Sequence, residues 1–376
     1  MSTPASVLII GGGIAGWTAA SGLRKGGFEG EVTVVEAEEL SYDRPPLSKE
    51  ALEGGASMAS LAFASAEDLA AQRIELLAGT PAVGIGPGEA TLADGRRLTA
   101  EHVLVATGAP VRRPDFPGAD SERVATLRRY ADLERIRAAA VPGARIVVLG
   151  GGFIGAEAAA SLRTLGVEVT LVDRNEVPGT RMLGATLAGW LHGLHAVHGV
   201  ETRVAGVAGV TDPGDGAPLV VRLDSGEELP ADLLLAGIGM AEPVPLPGVE
   251  HADTVLPARP HWDAARIDGR DAATAILGQP PKGPTADWFW SDRYGLHLEV
   301  VGRLVGPGEE IVRWAEPGRP AAILRLDGGR LVGAASVDDA NTVRAARRLI
   351  DRGIAVTAEQ LADPAIGLRE LLPPSS

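Results

Sequence analysis

Two glycine-rich segments of the chain have the spacing that binds the phosphates of a dinucleotide. In the second segment, Gly150, Gly152 and Gly155 form G-x-G-x-x-G between the apolar residues 146–149 and the Ala-rich residues 156–165. The first glycine allows a tight turn, the second lets backbone N–H groups approach a pyrophosphate, and the third lets the helix pack closely on the strand. The pattern predicts a buried strand, a phosphate-binding turn and a helix whose N-terminus faces the phosphates.

Asp173 has the position of a ribose ligand for this turn. It ends the next predicted strand, residues 168–172, roughly 20 residues after the glycines, where a carboxylate can accept hydrogen bonds from both ribose hydroxyls. A 2′-phosphate would be repelled by this carboxylate, so the sequence favours NADH over NADPH. Arg174 could turn toward a 2′-phosphate, which keeps NADPH as the second choice.

The same pattern occurs near the N-terminus. Gly11, Gly13 and Gly16 follow the apolar residues 7–10, and Glu36 stands in the ribose position after a second predicted strand. A lone G-x-G-x-x-G is a weak signal, because glycine-rich turns between strand and helix also occur without a ligand. Two complete copies indicate that the chain binds two dinucleotides.

Composition limits the chemistry that can take place here. The chain has 376 residues, no cysteine and a formal net charge of −14. Without cysteine there is no active-site disulfide, sulfenic acid, protein-ligated iron–sulfur cluster or zinc thiolate site, so redox chemistry must use bound cofactors. The negative charge argues against nucleic-acid binding, which needs basic surface to neutralise phosphates.

Neither a membrane segment nor a metal site is expected. We find no N-terminal signal pattern and no apolar run long enough to span a bilayer, so the cytoplasm is the expected compartment. His192, His195 and His198 have a spacing that puts them near one helix face, but no carboxylate cluster nearby completes a metal site. We interpret these histidines as part of a half-exposed surface.

The two halves stay similar beyond their glycines. Each glycine-rich segment is followed by a hairpin, at residues 89–98 and 219–229, and by an apolar strand that runs into glycine, at residues 103–106 and 233–236. Each half is therefore predicted to be one Rossmann-like, dinucleotide-binding domain. Residues 240–260 are Pro-rich without clean periodicity and are predicted to be a linker or loop.

The rest of the chain predicts a third domain. A helix is predicted at residues 262–276, and after a Pro-rich break a second helix is predicted at residues 341–352. Strand-like runs lie between these helices at residues 296–301, 310–314, 321–326 and 330–335. The predicted fold class is thus α/β, with two Rossmann-like dinucleotide-binding domains and a C-terminal α+β domain.

Five motifs carry a resemblance to a known family. They are G-G-G-I-A-G at residues 11–16, R-P-P-L-S-K at 44–49, A-T-G-A at 106–109, the second glycine-rich segment at 150–157, and W-F-W-S-D-R-Y at 288–294. With them, nearly the whole chain resembles the NADH-dependent, FAD-containing ferredoxin and rubredoxin reductases that supply electrons to oxygenases and cytochromes P450. This family belongs to the disulfide-reductase-like superfamily, and the R-P-P-L-S-K and W-F-W-S-D motifs are much more specific than the glycine patterns.

The resemblance implies a domain order and a set of cofactor contacts. Residues 1–111 and 240–284 would form the FAD-binding domain, residues 112–239 the NAD-binding domain, and residues 285–376 a C-terminal interface domain. The implied FAD contacts are Gly11, Gly13, Ile14, Ala15, Gly16, Glu36, Ala37, Arg44, Lys49, Val83, Ala106, Thr107, Gly108 and Trp290. The implied NADH contacts are Gly150, Gly152, Phe153, Ile154, Gly155, Glu157, Asp173, Arg174, Gly237, Ile238 and Gly239.

The resemblance also implies three catalytic residues. Lys49 would lie near the reactive edge of the flavin and stabilise negative charge on the reduced ring. Glu157 would pair with Lys49 and border the nicotinamide pocket, and Trp290 would stack near the isoalloxazine and screen it from water. The alternatives are an ordinary domain-interface salt bridge for Lys49 with Glu157, and core aromatics for Trp290 with Trp288.

One segment departs from the family pattern. Family members carry, after the second returning strand, a Thr, a short apolar strand and a Gly-Asp pair that binds FAD. Here residues 239–262 contain no such segment, and the only Gly-Asp dipeptide, Gly214-Asp215, lies in the hairpin region of the second copy. We therefore expect the loss of one FAD ligand and of one strand of the flavin-domain sheet, which puts tight FAD binding in question.

The expected reaction is hydride transfer from NADH to FAD, followed by one-electron steps to a ferredoxin- or rubredoxin-type carrier. Arg344, Arg347 and Arg348 are candidates for docking an acidic carrier, with a solvated helix face as the alternative. The alternative function is a flavin-deficient relative that binds NADH but holds FAD weakly or not at all, acting on free flavin or as a non-redox binding module. A monomer or homodimer fits either function.

Overall fold

The computed structural model describes residues 4–214 and 216–373, so Asp215 lies outside the described residues. The first part of the chain contains β1 (Ser6–Ile10), α1 (Ile14–Lys25), β2 (Glu31–Val35), α2 (Met58–Leu61), α3 (Ala66–Gln72), β3 (Ile74–Leu77), β4 (Ala82–Gly86), β5 (Glu89–Leu92), β6 (Arg97–Thr99) and β7 (His102–Val105).

The middle part contains β8 (Val124–Thr126), α4 (Tyr130–Ala139), β9 (Arg145–Leu149), α5 (Phe153–Thr164), β10 (Glu168–Asp173), α6 (Thr180–Val197), β11 (Glu201–Val204), β12 (Val207–Thr211), β13 (Leu219–Leu223), β14 (Glu228–Ala231) and β15 (Leu233–Ala236). The last part contains β16 (Thr254–Val255), α7 (Trp262–Ile276), β17 (Trp288–Arg293), β18 (Leu296–Gly302), β19 (Glu309–Glu316), β20 (Arg319–Asp327), β21 (Arg330–Val337), α8 (Ala340–Asp351) and α9 (Ala358–Ala362).

The chain divides into two compact units. The first comprises Met1–Pro46, Ala56–Pro110 and Met240–Gly283, and the second comprises Leu47–Gly55, Val111–Gly239 and Pro284–Ser376. This division places the short segment that contains Lys49 with the second unit. The three-domain division expected from the sequence stays a prediction.

A parallel sheet forms the centre of the first unit. Its strand order is β16-β7-β1-β2-β3, and the apolar residues of β1 are almost fully buried in it. Helix α7 packs along α1 so tightly that a Cβ on Gly269 would lie 2.1 Å from the carbonyl oxygen of Ala15. A separate antiparallel sheet, β4-β5-β6, contains the predicted first hairpin.

The first sheet keeps the edge strand that we expected to be lost. Thr254 and Val255 pair in parallel with Leu104 and Val105 of β7, and the Leu256 N–H donates to the Val105 carbonyl at 2.8 Å. The expected loss of this strand is therefore wrong. A strand of two residues is too short to have a recognisable period, and it is held by its neighbours rather than by its own pattern. The Gly-Asp pair, in contrast, does not follow it in the sequence.

The second unit contains a parallel sheet with the order β11-β10-β9-β15-β8 and two antiparallel sheets, β12-β13-β14 and β17-β18-β21-β20-β19. Helix α8 packs against the last sheet, and its N-cap Asp339 accepts hydrogen bonds from the first helical N–H groups. The W-F-W-S-D-R motif is β17, which pairs along its length with β18. Two parallel sheets and one C-terminal antiparallel sheet confirm the predicted fold class.

Candidate functional site

The first glycine turn is built from backbone contacts that leave no room for a side chain. Gly11 has a φ of 108°, and a Cβ on it would lie 2.5 Å from the carbonyl oxygen of Ala106. A Cβ on Gly16 would lie 1.9 Å from the carbonyl oxygen of Gly11. At Gly13, the N-cap of α1, a Cβ would meet none of the described residues within 4 Å, and none of their side chains caps the helix. The N-terminus of α1 is thus open to an anion.

Glu36 is fixed beside this turn. Its Oε2 accepts the Gly12 N–H at 2.8 Å and its Oε1 accepts the Glu38 N–H at 3.0 Å, while the Ser41 hydroxyl donates to the Gly12 carbonyl. The side chain is buried. The carboxylate is therefore held next to the first glycine turn, and its contact with a ribose stays a prediction.

The second glycine turn repeats these contacts. Gly150 has a φ of 99°, and a Cβ on it would lie 2.6 Å from the carbonyl oxygen of Gly237. A Cβ on Gly155 would lie 1.9 Å from the carbonyl oxygen of Gly150, whereas one on Gly152, the N-cap of α5, would meet nothing within 4 Å. Asp173 accepts the Gly151 N–H at 2.7 Å and the Asn175 N–H at 2.8 Å.

Both turns fit the diphosphate of a dinucleotide. In each, no side chain in the described part of the chain caps the first helical N–H groups, the second glycine of the motif faces open space, and a carboxylate is held next to the turn. Beside the first turn, Arg44 donates to Glu38 at 3.0 Å, while its buried Nε has no hydrogen-bond partner among the described residues. Such an orphaned donor fits a further ligand contact in the same unit.

The other predicted contacts lie on the elements around the turns. In the first unit, Ile14 and Ala15 begin α1, Ala37 follows Glu36, Val83 is exposed on β4, and Ala106, Thr107 and Gly108 follow β7. In the second unit, Phe153 and Ile154 begin α5, and Ile238 and Gly239 follow β15 beyond Gly237. The Arg174 guanidinium lies against Gly206, next to the Asp224 carboxylate.

Lys49 and Glu157 form a buried ion pair within the second unit. Their side chains are 8% and 2% exposed, and the Lys49 Nζ lies 2.9 Å from the Glu157 Oε2. The Ser48 hydroxyl donates to the same oxygen at 2.6 Å, and the Ser291 hydroxyl donates to Oε1 at 2.7 Å. Glu157 thus accepts hydrogen bonds from three side chains, which satisfies an ionised carboxylate in a buried place.

Trp290 lies near this pair on β17. The Lys49 Nζ is 5.8 Å from the centroid of the Trp290 ring, and the ring stacks on Trp288 with 5.0 Å between centroids. The Trp288 Nε1 donates to the Glu299 carboxylate at 2.7 Å, and Trp288 packs against the C-terminal core. Lys49, Glu157 and Trp290 are therefore brought together, while Trp288 fits the core alternative.

Three polar residues of this cluster were missed at the level of sequence. Ser48 and Ser291 lie inside the two specific motifs, but no feature of these motifs indicates that their hydroxyls bind the Glu157 carboxylate. Arg293 follows in the second motif; its Nε donates to the Ser291 hydroxyl at 3.2 Å, and burial lowers the pKa of its guanidinium. Nothing in the pattern of the sequence distinguishes this arginine from an exposed one.

The histidine group differs from the expected half-exposed surface. His195 is buried on α6, its Nδ1 lies 2.7 Å from the Tyr294 hydroxyl, and burial lowers its pKa to about 3. Burial raises the pKa of Tyr294. The Tyr294 ring stacks on the ring of the exposed His198, with 3.9 Å between the ring centroids. The interpretation as a half-exposed surface is wrong for His195. Across residues 4–214 and 216–373, no group of three His, Cys, Asp or Glu side chains could hold a metal ion.

The predicted docking arginines lie on α8. Arg344 and Arg348 are exposed and Arg347 is half-buried, so a basic face is present, which fits the solvated alternative equally well. Among the described residues, no helix has both the length and the apolar character needed to cross a bilayer.

Comparison with known sequences matches two family models. They are pyridine nucleotide-disulphide oxidoreductase, over residues 5–253, and reductase C-terminal, over residues 288–372. The anthranilate 1,2-dioxygenase system ferredoxin–NAD(+) reductase component of Burkholderia cepacia is 34% identical, over 97% of this chain and 98% of that protein. The p-cumate 2,3-dioxygenase system ferredoxin–NAD(+) reductase component of Pseudomonas putida is 33% identical, over 97% and 98%.

Solved structures of reductases also resemble this chain over nearly its whole length. The ferredoxin reductase for the CYP199A2 system from Rhodopseudomonas palustris has a TM-score of 0.88 at 28% identity, covering 97% of this chain and 99% of that chain. The putidaredoxin reductase–putidaredoxin complex has a TM-score of 0.86 at 29% identity, covering 97% of each chain. The likeness therefore extends over both glycine turns and the C-terminal sheet.

Proposed function

We propose that this chain passes electrons from NADH through FAD to a ferredoxin-type carrier. The reason is that the chain belongs to the pyridine nucleotide-disulphide oxidoreductase family and, within it, to the ferredoxin–NAD(+) reductases. The observation that carries the proposal is the buried cluster of Lys49, Glu157 and Ser291, which joins the two specific motifs of the chain. A cation held without solvent in this way is suited to stabilise charge that develops during a reaction.

Each glycine turn has a role in this proposal. The first turn, with Glu36 and Arg44, would hold FAD, and the second, with Asp173, would hold NADH. FAD, when bound, accepts a hydride from NADH and releases the two electrons singly. The remaining chemistry belongs to the side chains of the protein.

We propose that Lys49 supplies positive charge at the flavin and that Glu157 positions it. Ser48 and Ser291 hold the Glu157 carboxylate from both of its oxygens, so the ammonium of Lys49 has one preferred place. Trp290, beside Lys49, would exclude water from the same region. No proton transfer is required of these residues.

NADH is the proposed donor, because the Asp173 carboxylate is fixed beside the turn and would repel a 2′-phosphate. Replacing Asp173 with Ser should weaken NADH binding by about tenfold and narrow the preference over NADPH, since hydrogen bonds to a charged group are lost. The cytoplasm is the proposed compartment, since the reaction consumes NADH. We also propose the three-domain division given by residues 1–111 with 240–284, 112–239 and 285–376.

The flavin-deficient alternative is not favoured, because 97% of the chain aligns with ferredoxin–NAD(+) reductases. The purified protein should be yellow, should bleach on anaerobic addition of NADH, and should then reduce a [2Fe–2S] ferredoxin in a stopped-flow experiment. A colourless protein that cannot be reconstituted with FAD would overturn the proposal. Reduction of added free FAD without a bound flavin would instead support the alternative.

A further inference from the structure

The Ser161 side chain leaves its own helix to bind a distant segment of the second unit. Ser161 lies on α5, one turn after Glu157, and is 3% exposed. A serine or threonine inside a helix commonly points to solvent or donates to the carbonyl four residues earlier, as Thr164 on the same helix does at 3.3 Å. The Ser161 hydroxyl instead donates to the Ser48 carbonyl oxygen at 3.0 Å, across 113 residues of chain. This contact ties α5 to the segment that carries Lys49.

Two residues of α5 therefore hold the same dipeptide, one by its side chains and the other by its backbone. Glu157 and Ser161 lie on one face of the helix, since residues four positions apart are neighbours there. Glu157 accepts from the Ser48 hydroxyl at 2.6 Å and from the Lys49 ammonium at 2.9 Å. Ser161 donates to the Ser48 carbonyl, and the Lys49 carbonyl lies 3.5 Å away, which allows only a weak interaction.

Contact at the backbone matters for Lys49 because its side chain is long. The ammonium is carried on a flexible four-carbon stem, whose rotamers are restricted only by what it contacts. A lysine bound only at its end could reach the Glu157 carboxylate in several rotamers. When the backbone at its base is also fixed, few rotamers span the distance, so the ammonium approaches the carboxylate from one direction.

A second acceptor competes for the hydrogen of the Ser161 hydroxyl. The Glu53 Oε1 also lies 3.0 Å from the hydroxyl oxygen, and a hydroxyl has a single hydrogen to donate. Ser48 is 1% exposed, whereas Glu53 is exposed and its carboxylate can accept from water. A buried carbonyl that loses a donor has no water to replace it, so the hydrogen should lie toward Ser48.

The first glycine turn is followed by a helix without this hydroxyl. In α1, Gly22 stands in the position of Ser161, and a Cβ on it would lie 3.1 Å from the Ala273 Cβ. The backbone contacts of the two turns are nevertheless the same. Ser161 is therefore not needed to form a glycine turn, which leaves its contact with Ser48 as the feature to explain.

We propose that Ser161 is a positioning residue: by holding the backbone of Ser48, it fixes the Lys49 ammonium beside Glu157 and so raises the rate at which a bound flavin is reduced. Charge that develops in a reaction is stabilised best by a cation that is already in place. The inference rests on the proposed function for this rate, but the position of Lys49 can be measured without any electron transfer.

The first measurement is the ¹³Cε NMR signal of Lys49 in the full-length protein grown with labelled lysine. The chain has three lysines, and Lys25 and Lys282 are exposed whereas Lys49 is 7% exposed, so the buried lysine should give a distinct signal. Ser161→Ala should shift or broaden the Lys49 signal and leave the other two unchanged. Because alanine is the best helix former, this variant should fold.

The second measurement is the stopped-flow reduction of the flavin by NADH. Ser161→Ala should lower the limiting rate about tenfold, the effect of one lost hydrogen bond, while the dissociation constant of NADH stays within about twofold. Thr164→Val is the matched control, because the Thr164 hydroxyl donates within α5. It should match the wild type in both measurements. A wild type that NADH does not reduce refutes the proposed function and the effect on the rate, while the Lys49 signal still decides whether Ser161 positions Lys49.

Glu53→Ala distinguishes the two acceptors of the Ser161 hydroxyl. It should leave the Lys49 signal and the rate of reduction unchanged, since Ser161 keeps its bond to the Ser48 carbonyl. If Glu53→Ala causes the same changes as Ser161→Ala, the hydroxyl acts through the carboxylate and the inference is overturned. An unchanged Lys49 signal in Ser161→Ala, or an unchanged rate where the wild type is active, would overturn it as well.

Discussion

The two glycine turns of this molecule have the same backbone contacts but different neighbours. Gly16 and Gly155 each leave 1.9 Å between a notional Cβ and the carbonyl of the first glycine of the motif. Two residues further along the helix, the first copy has the half-buried Thr18 and the second has the buried Glu157 with its three donors. The backbone geometry of the turn is thus the same in both copies, and of the two residues compared only Glu157 is a buried carboxylate.

The edges of the two parallel sheets also differ. The returning strand β7 is flanked by β16, which comes later in the chain, whereas β15 is flanked by β8, which comes earlier. β16 has two residues and β8 has three. Duplicated halves thus close their sheets with unrelated segments, because any extended segment that reaches an open edge can pair with it.

The largest expected loss of stability follows the replacement of Glu157, and replacing its counterpart Thr18 should have a much smaller effect. Glu157→Gln removes the partner of a buried ammonium and should lower the free energy of unfolding by about 3–5 kcal/mol in urea titrations. Thr18→Val should change it by less than about 1 kcal/mol. Glu227→Gln is a control, since its pair with Arg203 is partly exposed and should contribute at most about 1 kcal/mol. Equal losses in Glu157→Gln and Glu227→Gln would refute this difference.

The next prediction compares Gly155, which packs against the backbone of the second turn, with Gly152, whose Cβ position is open. Gly155→Ala forces a methyl group against the Gly150 carbonyl and should cost about 1–3 kcal/mol in stability. Gly152→Ala meets no protein atom, so it should leave stability within about 0.5 kcal/mol while weakening NADH binding. Gly16→Ala and Gly13→Ala should give the same contrast for FAD. A stability loss in Gly152→Ala as large as that in Gly155→Ala would show that the two roles are not separate.

His195, in the second unit, should make the free energy of unfolding fall in acid. Burial lowers its pKa from 6.5 to about 3, so between these values the unfolded chain binds a proton that the folded chain does not. Stability therefore falls as the pH drops below 6.5, by about 2 kcal/mol at pH 5. His195→Gln should remove this loss in urea titrations at pH 7 and pH 5, and the exposed His251→Gln should not. An unchanged acid dependence in His195→Gln would contradict the assignment.

The smallest expected effect concerns the edge strand of the first sheet. The Asp253 carboxylate accepts the Val103 N–H at 2.8 Å, and Asp253→Ala should lower stability by about 1 kcal/mol. The Asp232 carboxylate accepts the Arg145 N–H at the same distance in the second unit, so Asp232→Ala is the matched variant. If β16 supports the flavin site, only Asp253→Ala should also release FAD during gel filtration. FAD retained equally by both variants would limit β16 to a structural role.

Sequence patterns located the regular elements well. The helix expected at residues 262–276 has those bounds as α7, and the strand expected at residues 233–236 is β15. These segments have clear periods or compact apolar runs bounded by Pro and Gly, which are local signals. β16 was missed because two residues in a Pro-rich segment carry no period and pair only with a distant strand.

Only some residues of the candidate site were predictable from the sequence. The motifs pointed to Lys49, Glu157 and Trp290, and the structure places these side chains together within one unit. Their roles in catalysis stay proposals. Ser48, Ser291 and Arg293 were not found, because a serine or an arginine gives no sign in the sequence of whether it is buried.

Residue type and spacing alone were enough to specify the two glycine turns and the carboxylates that lie beside them. A tight turn with positive φ and a close helix contact require glycine at particular positions whatever the rest of the chain does. Tertiary structure alone brought Ser48, Lys49 and Ser291 to Glu157, across more than a hundred residues of chain. Burial and charge pairing depend on contacts between distant segments, and no local pattern encodes them.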